Sequence, residues 1–206
     1  WLRSIANGFV ELTRDLWTSG KAMFVCLNKA PVVRMYNYVQ ECWQAKIREL
    51  EARQGTATQQ EAQELARKLA WMRETEMAVV ISQEQNEVQT SKVGLDILPH
   101  RAKMEKRELD KEFKDSKNPF RVVFVCAMWL TGFDVKCLSC LYLDKPLKAH
   151  TLMQTIARAN RVSEGKSNGL IVDYIGIVKA LRKLWQIIRS ARTARRALTQ
   201  RWTKRS

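Results

Sequence analysis

The chain has 206 residues, of which 46% are hydrophobic, and its formal net charge is +15. This length and apolar content can bury the core of one domain, with room for an appendage. No apolar run approaches the ~18 residues of a membrane-spanning helix, so no membrane segment is predicted. The sequence starts with Trp1 and shows no signal-peptide pattern, so we expect a cytoplasmic protein and a piece of a longer chain.

The positive charge is concentrated near the end of the sequence. Residues 179–206 contain ten Lys or Arg and no Asp or Glu, which leaves +5 for the other 178 residues. A basic segment of this kind indicates an acidic partner such as nucleic acid, or a solvated terminus. We therefore distinguish a domain over residues 1–184 from a basic helix or tail over residues 185–206.

The apolar pattern predicts helices and strands that alternate along the chain. The predicted helices are 4–17, about 31–53, one that starts at the capping box Thr58–Glu61, 101–115, and about 175–188. The helices on either side of Gly55 form a hairpin, residues 41–76, inserted between two strands. The helix over 101–115 has few apolar anchors, so we expect it to lie on the surface.

Five short apolar runs are predicted as strands. They are residues 22–27, 77–81, 121–126, 138–143 and 170–172. Each run is almost continuously apolar, which is typical of strands buried on both faces of a parallel sheet. The sequence therefore predicts an α/β fold in which helices flank a parallel sheet of about five strands.

The five cysteines fall mostly inside apolar runs. Cys137 and Cys140 have the spacing of half a zinc site, but no second pair exists, and His100 and His150 lack ligand spacing. Residues three apart on a strand also face opposite sides of a sheet. We therefore predict reduced cysteines that pack as small apolar side chains, and no metal site.

Ligands of parallel sheets bind at the carboxyl ends of the strands. The loops that this rule selects are Asn28–Lys29, 83–86, 131–134, 144–150 and 173–174. The helix predicted after the fourth loop carries Gln154, Arg158 and Arg161, whose spacing puts them on one face. Two guanidinium groups and an amide can bind phosphate oxygens, although a solvated helix face is the simpler alternative. The nearby turn that ends at Asp134 favours a binding site.

The sequence contains no phosphate-binding loop. Gly165-Lys166-Ser167 matches only the end of the pattern Gly-x4-Gly-Lys-Ser/Thr, and Asn160 stands in place of its first Gly. No Asp-Glu box follows a predicted strand either. The chain therefore cannot hold Mg-ATP alone. If it acts on ATP, it supplies arginines to a site shared with another domain.

Several segments resemble motifs of superfamily-two helicases. Residues 154–161, QTIARANR, are similar to the sixth motif, Gln-x-x-Gly-Arg-x-x-Arg, and residues 131–134, TGFD, resemble the fifth. The words KAMFVCLNK, NPFRVVFVCAMWLTGFDV, LYLDKPLKAHTLMQTIARANRV and NGLIVDYIGI resemble the restriction (motor and nuclease) subunit of type I restriction-modification enzymes. These words keep the same order and cover roughly residues 5–184.

The resemblance implies the second RecA-like motor domain of an ATP-dependent double-stranded-DNA translocase. In that family the first RecA-like domain holds the phosphate loop and Mg, and a separate domain is the nuclease. Specificity and methylation subunits are further partners. Because those parts are not in this sequence, the chain alone is predicted to be inactive.

The resemblance also implies roles for individual residues. The positions implied on the ATP side are Gln154, Arg158, Arg161, Gly132 and Asp134. The positions implied near the DNA backbone are Thr131, Asn28 and Lys29. Among them, Arg161 is implied to be the arginine finger, with Arg158 as the second catalytic cation.

Two positions depart from the family pattern. Ala157 replaces the usual Gly of the sixth motif, and a small helix-forming residue there should do little harm. Lys136 replaces the usual Pro after Asp134-Val135, and loss of the fixed φ is expected to loosen this turn and misplace Asp134.

Two alternatives to the motor function remain open. A basic, non-catalytic nucleic-acid-binding module on a RecA-like fold would use the charge of residues 185–206. A structural scaffold would bind other subunits through the hairpin over residues 41–76.

Overall fold

Five strands form one parallel sheet in the computed structural model, which describes residues 4, 6–10, 20–82, 96–126, 128–129, 133–147, 149–159 and 169–176. The strands are β1 (Lys21–Cys26), β2 (Glu76–Val80), β3 (Phe120–Val125), β4 (Leu138–Asp144) and β5 (Leu170–Asp173). Their order is β2-β3-β1-β4-β5, and each neighbouring pair is parallel. The α/β fold predicted from the continuous apolar runs is confirmed.

Helices connect the strands and flank the sheet. They are α1 (Lys29–Gln54), α2 (Gln59–Glu74), α3 (Leu98–Lys106), α4 (Leu109–Lys114) and α5 (Ala149–Ala159). Residues 4 and 6–10 are also helical, whereas the rest of the first predicted helix lies outside the described residues, as do all but the first two residues of the predicted closing helix. Within the described ranges, no helix is long and apolar enough to cross a membrane.

The pair α1–α2 forms the helical hairpin expected before β2. Glu61 accepts hydrogen bonds from the backbone N–H of Thr58 at 3.0 Å and from its hydroxyl at 2.6 Å, so the predicted capping box is present. The two helices are joined where Trp43 Nε1 donates to the carbonyl oxygen of Met72 at 3.0 Å. The first half of α1 instead covers the sheet, with Val32 and other apolar residues in its core. The insert boundaries 41–76 stay a prediction.

The expectation of one surface helix over residues 101–115 is wrong. The chain forms α3 and α4, separated at Arg107, whose backbone is extended (φ −131°, ψ 145°). The Arg107 side chain donates to Glu76 on β2 and to Glu112, contacts that a continuous helix would not give. Leu109 and Phe113 are 3% and 0% exposed, so α4 packs on the sheet rather than lying on the surface.

The apolar core has two layers, one on each face of the sheet. The face that includes Phe24 of β1 packs against α1 and residues 6–10. The opposite face, which includes Met23 of β1, packs against α4 and α5. Cys140 belongs to the first layer and Cys137 contacts the second, so this pair is divided between the two faces of the sheet.

Lys21 gives the fold an expected dependence on pH. Its side chain is 1% exposed, and Nζ donates to the carbonyl oxygen of Glu112 at 2.9 Å and lies 5.2 Å from the centroid of the Phe113 ring. Burial lowers the pKa of Lys21 from 10.5 to about 8, with nearby Cys137 and Asp115 opposing the shift. Between these values the unfolded chain binds more protons than the folded chain, so stability rises with pH.

We therefore expect the free energy of unfolding of the wild type, relative to Lys21→Met, to increase between about pH 7.5 and about pH 10. Urea unfolding at several pH values measures this difference. The exposed Lys117 provides the control, because Lys117→Met removes the same charge from a position outside the core. If the difference in unfolding free energy between the wild type and Lys21→Met does not change with pH, folding does not lower the pKa of Lys21.

Candidate functional site

The parallel register brings the ends of the strands to one edge of the sheet. Val25 pairs with Val125, Cys26 with Asp144, and Leu143 with Asp173. The residues that follow β1, β3, β4 and β5 therefore start from the same edge, as expected for a ligand site in an open α/β sheet.

Asn28 and Lys29 begin at this edge and lead into α1. Asn28 is exposed and has extended backbone (φ −150°), and its carbonyl oxygen accepts from the Val32 N–H at 3.3 Å. Lys29 is the half-buried first residue of α1. Helix α1, which follows Asn28 and begins at Lys29, packs on the Phe24 face of the sheet. Asn28 and Lys29, two of the three positions predicted near DNA, therefore lie at the carboxyl edge, where α1 starts.

Asp134 lies on the connection from β3 to β4, past the carboxyl edge. Phe133 and Val135 on either side of it are buried in the Met23 face, whereas Asp134 is exposed. The Phe133 ring stacks on the Trp129 ring with their centroids 4.1 Å apart, and Lys114 Nζ lies 4.7 Å from the centroid of the Phe133 ring. The sequence rule placed Asp134 at the edge. That placement is wrong, because the connection returns along the face of the sheet. Thr131 and Gly132 lie outside the described residues.

Helix α5 lies on the same face as the Asp134 connection. Leu152 is 0% exposed and belongs to the apolar layer that contains Phe133, and Thr155 is 2% exposed and donates to the Thr151 carbonyl oxygen at 2.7 Å. Gln154 is half-buried, and Arg158 follows it one helical turn later. Arg161 lies outside the described residues. The structure thus brings the helix of Gln154 and Arg158 and the Asp134 connection to one face.

Both departures from the helicase pattern have a structural context. Ala157 is exposed on α5, so its methyl group meets no packing restriction from the core. Lys136 occupies the second position of a turn in which the Leu138 N–H donates to the Val135 carbonyl oxygen at 3.3 Å. This hydrogen bond therefore closes the turn even though Lys136 stands where the family pattern has Pro.

Two charged residues at the end of β4 add to the site beyond the sequence prediction. Asp144 is half-buried, and burial raises the pKa of its carboxyl group. Lys145 Nζ donates to the carbonyl oxygen of Cys126 at 3.0 Å. The rule for carboxyl ends selected the loop 144–150, but no role was predicted for either side chain. The hydrogen-bond partner of Lys145 depends on the strand order.

The donor set suits an anion held from one side better than a metal ion. Among the described residues, no three His, Cys, Asp or Glu side chains come together as a metal-binding group. An amide and cationic side chains bind phosphate oxygens. These residue types fit the phosphate groups of a nucleotide.

Comparison with known proteins identifies relatives of one kind. A 54% identical segment of 88 residues covers 41% of this chain and 8% of the type I restriction enzyme HindI endonuclease subunit of Haemophilus influenzae. A 54% identical segment of 94 residues covers 45% of this chain and 9% of a Methanocaldococcus jannaschii protein provisionally named the type I restriction enzyme MjaIXP endonuclease subunit. These matches span less than a tenth of either relative.

A solved structure and a family model complete the comparison. The structure is a fragment from Vibrio vulnificus YJ016, provisionally described as an HsdR subunit of a type I restriction enzyme. The two structures align with a TM-score of 0.47 and 15% sequence identity, over 85% of this chain and 28% of the Vibrio chain. The family model, described as type I restriction enzyme subunit R domain 3, matches residues 18–176, well over half of the sequence. The chain therefore belongs to the family of domain 3 of the type I restriction enzyme R subunit.

Proposed function

We propose that this chain is the second RecA-like motor domain of a type I restriction enzyme R subunit, where it completes an ATP site held mainly by the first motor domain. Membership of the R-subunit family supports the assignment. The observation that carries the proposal is the position of α5. It follows the carboxyl end of β4, bears Gln154 and Arg158, and packs on the face that also holds the Asp134 connection.

The proposed roles follow from the resemblance to the helicase motifs, and the chemistry of the polar side chains is compatible with them. Arg161 stabilises negative charge on the phosphoryl group in the transition state, Arg158 adds a second cation, and Gln154 supplies an amide. Gly132 and Asp134 are proposed to lie on the nucleotide side. The phosphate loop and the Mg ligands belong to the first motor domain.

DNA contacts are proposed for Thr131, Asn28 and Lys29. Contacts to the DNA backbone position a protein without reading sequence, so recognition of the target is assigned to the specificity subunit. Closure of the cleft between the motor domains around ATP would move these contacts along double-stranded DNA. The nuclease domain and the methylation subunits complete the proposed cytoplasmic assembly.

The test is steady-state ATP hydrolysis by a mixture of this chain, a matching first motor domain and duplex DNA. We expect turnover only when both domains are present, because each supplies half of the site. Significant hydrolysis by this chain alone would contradict the proposal, since the sequence lacks a phosphate loop.

Measurement of DNA affinity in the same preparations separates the alternative function. The dense positive charge of residues 179–206 favours a basic binding module. Two results together would favour the binding module over the motor domain. Deletion of residues 185–206 would abolish DNA binding, and substitution of Arg158 and Arg161 would change neither ATP hydrolysis nor DNA affinity of the folded mixture.

A further inference from the structure

Lys145 forms a hydrogen bond that crosses the end of a strand. Its Nζ donates to the Cys126 carbonyl oxygen at 3.0 Å, and the sheet order β3-β1-β4 puts β1 between the two partners. Two inter-strand spacings amount to about 10 Å. The half-buried lysine therefore ties the segment after β4 to the segment after β3, over the end of β1.

The two segments joined by Lys145 are the ones that carry the candidate site. Lys145 lies between β4 and the first residue of α5, Ala149, so only three residues separate the tie from the helix of Gln154. Cys126 starts the connection that continues through Trp129 to Asp134. The hydrogen bond therefore joins the two segments through a short path.

The same two segments also contribute to one apolar layer of the core. Leu152 of α5 and Phe133 of the connection belong to one buried apolar layer. Trp129, which stacks on Phe133, has a left-handed backbone conformation (φ 66°), and this packing holds the connection in a defined shape. The polar link at the sheet edge therefore joins two segments that lie on the same face of the sheet.

We propose that Lys145 is a positioning residue that keeps the connection after β3, which includes the proposed DNA contact Thr131, in a fixed relation to the helix α5, which carries the proposed ATP contacts. The inference rests on the proposed function and adds a residue to it. Lys145 touches neither substrate in this account. It acts through the backbone of Cys126, so its loss should weaken the stimulation of ATP hydrolysis by DNA more than the binding of ATP.

The experiment uses preparations that contain this chain together with a first motor domain and measures kcat and KM for ATP with and without duplex DNA. Lys145→Met removes the donor and keeps the apolar stem, whereas Lys145→Arg keeps a donor. The exposed Lys117 gives the matched control Lys117→Met. Arg161→Ala, in parallel, tests the proposed function itself.

We expect Lys145→Met to reduce the ratio of DNA-stimulated to unstimulated kcat by about tenfold, with KM for ATP changed by less than about twofold. Lys145→Arg should recover most of the ratio, and Lys117→Met should match the wild type. Hydrogen exchange should also become faster in Lys145→Met, at residues 149–155 and at residues 133–135 together. Rescue by Arg and the division between kcat and KM are results that a merely stabilising contact would not give.

The possible failures are distinguishable. If Arg161→Ala abolishes turnover but Lys145→Met retains full DNA stimulation, the positioning role is overturned and the proposed function stands. If Arg161→Ala turns over like the wild type, the proposed function fails and the role of Lys145 fails with it. Should Lys145→Met not fold, Lys145→Gln replaces it, because Gln is too short to reach Cys126; full stimulation in that variant likewise overturns the inference.

Discussion

Replacement of Arg161 by alanine should lower the DNA-stimulated kcat for ATP hydrolysis by a factor of ~10³ or more, the scale of an arginine-finger loss. The arginine is proposed to contact negative charge that is fully developed only in the transition state, so KM for ATP should change far less than kcat. Arg158→Ala should also lower kcat, because the two guanidinium groups act on the same phosphoryl group.

The matched control for Arg161→Ala is Arg48→Ala on the exposed surface of α1. This substitution removes an equal charge from the chain, so it separates a local effect from the loss of net charge. Steady-state rates across a range of ATP concentrations give kcat and KM for each variant. An equal loss of kcat in the two variants, or no loss in Arg161→Ala, would show that Arg161 is not an arginine finger.

The substitution Gly20→Ala should destabilise the fold by about 4 kcal/mol, which combines backbone strain with a steric clash. Gly20 has φ +117°, and a Cβ atom there would lie 2.5 Å from both the carbonyl oxygen of Cys137 and Oγ of Ser139. The Cys137 oxygen is fixed, because it accepts the Lys21 N–H at 2.9 Å between β1 and β4. The central strand pair must shift to admit even a methyl group.

Gly55→Ala is the control, because Gly55 has φ −67° and its nearest neighbour, the Ala52 carbonyl oxygen, would lie 3.6 Å from the new Cβ. Thermal unfolding followed by circular dichroism should show a midpoint lowered by about 10 °C for Gly20→Ala and almost unchanged for Gly55→Ala. Equal midpoints for the two variants would mean that the start of β1 adapts at little cost.

The strands could be predicted from the sequence to within one residue at each described end, because each buried strand of this parallel sheet is a continuous apolar run. The break between α3 and α4 could not be predicted. It depends on Arg107, whose ion pair with Glu76 joins residues that are 31 positions apart. Local periodicity contains no information about such a partner.

The candidate site was predictable in part for a related reason. The spacing of Gln154 and Arg158 identified one helical row, and the helix is present. The rule for carboxyl ends located the start of each loop but not its path, so Asp134 was expected at the edge although its connection runs along the sheet face. The role of Lys145 was not predicted, because its partner Cys126 follows a strand two positions away in the sheet, and local sequence patterns do not reveal the strand order.

The central claim, that this chain supplies the arginine half of a shared ATP site, is tested most directly by the affinity between the chain and a first motor domain. A transition-state analogue, ADP with aluminium fluoride, should tighten the complex by at least ~100-fold over ADP alone, because the arginine contacts are strongest in that state. Arg161→Ala should abolish the increase. Equal affinity with and without the fluoride in a folded wild-type pair, or an increase that persists in Arg161→Ala, would contradict the claim.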